Sequence, residues 1–198
     1  GLKQELLEGV EHLGFTEPTK VQELAIPTIL NSKQDLVALA QTGTGKTGAF
    51  GLPLLHKIDP ENKKVQAIVL SPTRELAIQI AKDLKAYAKK LKGVKSVAVY
   101  GGSEIRTQIK ALENGCQVVV GTPGRMLDLI RRKKLRVEAI QTLVLDEADE
   151  MLNMGFQEDL DAILADTPSE KQTLLFSATM PKQMSSMAKK YMNNPAEI

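Results

Sequence analysis

The chain has 198 residues, with 26 Lys plus Arg against 24 Asp plus Glu, a formal net charge of +2, 42% hydrophobic and 25% charged residues. These figures suit one domain with a substantial buried core, and they exclude a disordered chain, a disulfide scaffold and a polybasic tail. A single cysteine, Cys116, and two distant histidines, His12 and His56, leave no internal disulfide and no zinc-type cluster, so a reducing, cytoplasmic setting is the default. No apolar run is long enough to span a membrane and no signal-peptide pattern opens the chain; the start at Gly1 rather than Met suggests a fragment.

In chain order, two amphipathic segments at 3–13 and 22–30 precede a first strand at 36–40. Helical spacing at 46–57 leads to a strand at 66–70, the longest helix at 74–91 and a strand at 96–100. A helix at 104–113, a strand at 117–121, a helix at 125–132, strands at 142–146 and 172–177 and a helix at 181–191 complete the series. The strand candidates are mostly continuous Val/Leu/Ile/Ala runs, as expected where both faces of a sheet are covered. Their alternation with helices predicts parallel pairing through right-handed crossovers, hence a doubly wound, mostly parallel α/β sheet with helices on both faces.

The strand ends carry the functional signal. The six candidates run in turn into AQTGTGKT, SPTRE, GG, GTPGR, DEAD and SAT. In an open α/β sheet the ligand crevice lies outside the carboxyl ends of the strands, so these turns should gather on one edge as an active site.

Residues 40–47 read A-Q-T-G-T-G-K-T, one residue short of the full phosphate-loop pattern because Ala40 replaces its first glycine. Gly43 and Gly45 let backbone N–H groups face phosphate oxygens, and the positive end of the following helix adds to them. Lys46 would neutralise the terminal phosphates, and the Thr47 hydroxyl would ligate Mg²⁺. A merely flexible Gly-Thr loop is the bland alternative. A dinucleotide site is the sharper one, because Gly43, Gly45 and Gly48 also fit G-x-G-x-x-G. That site needs an acid at the end of the second strand, where this chain has Leu70, Ser71 and Pro72. Asp146, ending the fifth strand, would be the second anchor for Mg²⁺, and Glu147 would orient and deprotonate an attacking water. Alone, D-E-A-D-E could simply cap a helix. The phosphate loop on the same edge favours catalysis for Asp146 and Glu147 and leaves Asp149 and Glu150 open.

At this density of motifs the chain resembles the first RecA-like domain of DEAD-box RNA helicases, over essentially its whole length. Gly14-Phe15, Pro18-Thr19 and Gln22 resemble the Q motif, which in that family recognises adenine, within an N-terminal segment of about 1–22. Gln22 has an amide suited to the N6/N7 edge. Gln41, Thr42, Gly43, Thr44, Gly45, Lys46 and Thr47 match motif I, including Ala40 before them. Pro72-Thr73-Arg74 resembles motif Ia, Gly101-Gly102 the GG element, and Thr122-Pro123-Gly124-Arg125 motif Ib. Asp146-Glu147-Ala148-Asp149 is the motif that gives the family its name, and Ser177-Ala178-Thr179 resembles motif III, which together with Asp149 would couple hydrolysis to strand separation.

The resemblance implies an ATP-binding domain using ATP and Mg²⁺, with Lys46, Asp146 and Glu147 catalytic. It also implies an RNA track over Pro72, Thr73, Arg74, Gly101, Gly102, Thr122, Pro123, Gly124 and Arg125. Guanidinium groups, a hydroxyl and exposed N–H groups suit backbone binding without sequence readout. A second RecA-like domain with arginine fingers is expected elsewhere in the polypeptide, so residues 1–198 alone should be monomeric, bind nucleotide, hydrolyse it very weakly and unwind nothing. The basic run at 131–136 reads as a solvated helix end, and Lys89, Lys90, Lys92 and Lys95 as surface. Met151, Met154, Phe156, Met184, Met187 and Met192 read as core. A DNA translocase and a non-catalytic RNA clamp are the alternatives; Gln22 argues against the first, and intact Lys46, Thr47, Asp146 and Glu147 against the second.

Overall fold

The apolar runs become strands because those inside the sheet are sandwiched between two helical layers, and the computed structural model describes residues 1–198 except Thr42 and Thr44. Among the described residues, α1 (Gln4–His12) and α2 (Lys20–Asn31) precede β1 (Leu36–Leu39) and α3 (Lys46–His56). Then follow β2 (Ala67–Leu70), α4 (Arg74–Tyr87), β3 (Ser96–Val99), α5 (Ile105–Glu113), β4 (Val118–Gly121) and α6 (Pro123–Arg131). The rest is β5 (Thr142–Leu145), α7 (Ala148–Asn153), α8 (Gln157–Asp166), β6 (Gln172–Ser177), α9 (Lys182–Tyr191) and β7 (Ala196–Glu197).

The strands form one parallel sheet in the order β3-β4-β2-β5-β6-β1-β7. Successive residues alternate between two cores: Ala67 and Val69 of β2 face one, with Leu55, Leu84 and Phe176, whereas Ile68 and Leu70 face the other, with Met126, Met151 and Ile163. This accounts for the unbroken apolar character of the strands. The order also splits the sheet's carboxyl edge. The ends of β3, β4 and β2 lie side by side on one half, while β6 sits between β5 and β1 on the other.

Three elements differ from expectation. α7 and α8 fill the stretch between the fifth and sixth strands in addition to the expected helices, and Leu160, Ile163 and Leu164 bury one face of α8 at helical spacing. β7 has only two residues and pairs with β1, and the buried Asp35 carboxylate reinforces this end by accepting from Thr173 N and Asn193 N, both at 2.7 Å. Met154 is 48% exposed and so is not core, unlike Met151, Met184, Met187 and Met192; it follows the last turn of α7, beyond the reach of the sheet. In the run at 131–136 only Leu135 is buried, and Arg132 pairs with Asp128 one helical turn back. Lys89, Lys90, Lys92 and Lys95 are exposed.

Candidate nucleotide and RNA site

The phosphate loop leaves β1 and enters α3 through Gly45, whose φ of 81° is a left-handed conformation that suits glycine at this turn. Gly43 and Gln41 are exposed; the expectations for Thr42 and Thr44 fall outside the described residues. Lys46 opens α3 and is buried, and Thr47 beside it is half-buried. The Lys46 ammonium lies 3.2 Å from Asp146 Oδ1 and 3.5 Å from Glu147 Oε2, so the lysine reaches across the end of β6 to both acids at the end of β5.

Asp146 is fully buried, and desolvation pushes its carboxyl up to about 6 despite the opposing pull of Lys46. Neither of its oxygens accepts a well-directed hydrogen bond from the described residues, the Lys46 contact being a close charge pair without that directionality. A buried carboxylate with unmet oxygens, next to the helix start that carries Thr47, fits a hard divalent cation that takes its remaining ligands from phosphate and water. Glu147 has φ 51° and ψ 52°, a left-handed conformation uncommon for a residue with a side chain. Holding it there costs about 1–3 kcal/mol, and such strain concentrates where a side chain must be aimed.

The Q-like segment packs directly on this loop. Thr19 caps α2 in a capping box: Gln22 N donates to Thr19 Oγ1 at 3.4 Å, and Thr19 N donates to Gln22 Oε1 at 3.0 Å. Gln22 Nε2 donates to Gly45 O at 3.0 Å, joining the segment to the phosphate loop. Since an amide has two N–H groups and two acceptor lone pairs, one of each remains. Beside it opens a cavity of about 450 Å³ lined by residues including Phe15, Pro18, Gln22, Gly48 and Tyr87. Phe15 is 55% exposed there.

Between the acids and the phosphate loop, the end of β6 makes a small network. Asp149 N donates to Ser177 Oγ at 3.3 Å, Ser177 Oγ donates to Thr179 O at 2.6 Å, and Asp149 Oδ2 accepts from both Thr179 N and Thr179 Oγ1. Partial burial pushes Asp149 upward, but the hydroxyls of Thr179 and Ser177 and the nearby backbone N–H groups outweigh it and hold the carboxyl below its ordinary value. Ala178 is exposed and spaces the two partners. Asp149 thus belongs with motif III rather than with Lys46.

The other half of the edge gathers the RNA candidates. Thr73 caps α4 by accepting from Leu76 N at 3.1 Å, leaving Arg74 exposed in the first turn. Gly101 and Gly102 form an exposed turn after β3; Thr122 is half-buried at the start of α6, and Gly124 is exposed. Pro72 and Pro123 are buried, so they shape the turns and offer no side-chain surface. Arg125 donates from Nη1 to Gln108 Oε1 at 2.8 Å and from Nη2 to Ser103 O at 3.1 Å. Gln108 and Tyr100, both part of this cluster, went unnoticed in the sequence; a lone Gln in an amphipathic helix carries no signal of its own.

Fold and site together define a P-loop nucleotide-binding domain of the doubly wound class. The family model for DEAD/DEAH box helicases matches residues 19–187, and the chain belongs to that family. It is 52% identical over its full length to the ATP-dependent RNA helicase CshA of Listeria monocytogenes, of which it covers 38%. It is 53% identical to the DEAD-box ATP-dependent RNA helicase CshA of Streptococcus pneumoniae, of which it covers 37%. The chain therefore spans little more than a third of these relatives and corresponds to their N-terminal domain. Among solved structures, a DEAD box protein from Methanococcus jannaschii superposes on the whole chain with a TM-score of 0.96 at 45% identity, over 54% of that protein's chain. Dbp5 of S. cerevisiae, bound to Nup159, Gle1, IP6 and ADP, does so with a TM-score of 0.90 at 38% identity, over 52% of its chain.

Proposed function

We propose that this chain is the ATP-binding domain of an ATP-dependent RNA helicase, and that with a second RecA-like domain it couples ATP hydrolysis to local opening of RNA duplexes. The observation that carries the reading is Lys46 bridging Asp146 and Glu147 across β6, at the mouth of a helix that starts in a glycine turn. The Lys46 ammonium would pass from these acids to the terminal phosphates, while the N–H groups at Gly43 and Gly45 bind their oxygens. Asp146 and Thr47 would hold Mg²⁺, which when bound neutralises charge on the phosphate oxygens. The Glu147 carboxylate would orient water in line with the terminal phosphorus and take its proton as the bond to the leaving oxygen breaks.

Gln22 would direct its remaining N–H and lone pair at adenine, with Phe15 and Pro18 forming part of the adjoining wall. Arg74, Arg125, Thr122 and the Gly101–Gly102 turn would hold the sugar-phosphate chain without reading its sequence. The Asp149–Ser177–Thr179 network lies within the nucleotide half, between the acids and the phosphate loop, where it would respond to the nucleotide.

Calorimetry with adenine nucleotides and Mg²⁺ tests the first half: binding is expected for the chain and should be lost in Lys46→Ala. In the full-length protein, Glu147→Gln should retain ATP and RNA but not turn over. Absence of adenine-nucleotide binding, or turnover by Glu147→Gln near the unsubstituted rate, would overturn the reading.

A further inference from the structure

Gln108 lies in α5, outside every motif, yet it is only 6% exposed. Its amide joins three pieces of the RNA half of the edge. Gln108 Oε1 accepts from Tyr100 N at 3.2 Å, and Nε2 donates to Tyr100 O at 3.1 Å. That reciprocal pair imitates the bonds of a neighbouring strand at the open side of β3, which is the edge strand of the sheet. Tyr100 is the last residue before the Gly101–Gly102 turn, so the amide fixes where that turn begins. The same Oε1 also accepts from Arg125 Nη1, while Arg125 Nη2 grips Ser103 O on the far side of the turn. Finally, the Arg74 guanidinium stands 4.9 Å over the Tyr100 ring, tying the start of α4 to the same residue.

We propose that Gln108 is a positioning residue for RNA. Its buried amide locks the Tyr100–Ser103 turn to the start of α6 and aims the Arg125 guanidinium, so that Arg74, the glycine turn and Arg125 form one preorganised platform for consecutive phosphates. The inference rests on the RNA reading of this half of the edge. Two of the five guanidinium N–H groups serve Gln108 and Ser103, which fixes the plane of the group and leaves the others for an anion. A buried amide that only satisfied itself would not need the arginine. Gln108→Leu keeps the volume but removes all three bonds, whereas Gln108→Glu keeps the acceptor for Tyr100 N and for Arg125.

The test measures single-stranded RNA binding by the full-length protein across a salt series, beside the KM for ATP. Each phosphate contact contributes about 0.7 to the slope of log affinity against log salt for a single strand. Gln108→Leu should weaken RNA roughly tenfold, the loss of one charge-assisted contact. It should also flatten the slope by about 0.7, as Arg125→Ala does, with little change in the KM for ATP. The double variant should be no worse than Arg125→Ala alone, and Gln108→Glu should keep the unsubstituted slope. If Gln108→Leu binds RNA with an unchanged slope while Arg125→Ala flattens it, or if the two losses add in full, the positioning role is wrong. If Gln108→Leu does not fold, a flattened slope in folded Gln108→Glu also refutes it. If Arg125→Ala leaves RNA binding untouched, the RNA reading has failed, and this proposal with it.

Discussion

Gly48 offers a sharp test of the proposal that the Q-like segment reads the nucleotide. It lies in the first turn of α3, and a Cβ added there would come 2.6 Å from Gln22 Nε2 and 3.4 Å from Gln22 Cδ, with the next neighbour, Tyr87 Oη, at 3.7 Å. The obstacle is thus the free end of a side chain, which can swing away, and Gly48→Ala should fold. Replacing glycine by alanine within a helix gains roughly 0.5–1 kcal/mol. Displacing Gln22 loses its bond to Gly45 O, a cost of roughly 0.5–1.5 kcal/mol. These nearly cancel, so the melting temperature should move by no more than about 2–4 °C for a chain of this size.

Recognition should not be spared, because the displaced amide no longer faces the base. A bidentate amide contact to adenine carries about 1–3 kcal/mol of discrimination, hence a loss of roughly 5- to 150-fold in preference for ADP over GDP. Differential scanning fluorimetry and paired calorimetric titrations with the two nucleotides measure both effects. An unchanged preference for ADP in a folded Gly48→Ala protein would refute the argument that this close approach aims Gln22.

Two further outcomes are expected. Burial pushes Asp146 from 3.8 to about 6, so between these values only the unfolded chain ionises there, and the stability this group contributes at low pH is lost as pH rises through about 6. At about 1.4 kcal/mol per pH unit the loss is at most roughly 3 kcal/mol. Without nucleotide, Asp146→Asn should therefore show a flatter melting temperature between pH 4 and 7 than the unsubstituted chain, by about the shift itself; a parallel profile would refute the burial argument. Thr179→Ala removes the 2.9 Å bond from Oγ1 to Asp149 but leaves the backbone N–H in place. In the full-length protein it should reduce duplex opening far more than RNA-stimulated ATPase, and an equal loss in both assays would place Thr179 in the chemistry instead.

The sheet was legible because parallel strands buried on both faces leave unbroken apolar runs, and the strand ends were legible because each leads into a turn of unusual composition. Helix α8 carried a readable signal too, in the spacing of Leu160, Ile163 and Leu164. β7, by contrast, depends on the backbone of β1 and on the Asp35 carboxylate, and a two-residue strand has no periodicity to find. Within the site, the pairing of Lys46 with both acids follows from the strand order, which no local pattern encodes. The left-handed backbone of Glu147 was invisible for the same reason: its composition suggests a helix cap, and only the tertiary setting imposes the strain. Gln108 was hidden because Arg125 reaches it only once β4 has paired with β3, and because the local turn that returns Tyr100 to it carries no side-chain pattern.

The division of one sheet edge into two halves has a mechanical consequence. Both halves are rooted in strands joined by continuous ladders of hydrogen bonds, with β2 and β5 as immediate neighbours across the divide. The spacing between the two ligand beds is therefore set by the sheet itself, like marks on a ruler. On the proposed reading, work on an RNA strand would then come from the swing of this unit as a whole against the second RecA-like domain. Within the unit, a short side-chain relay such as the one at Thr179 would be what reports, on the same reading, which nucleotide is present.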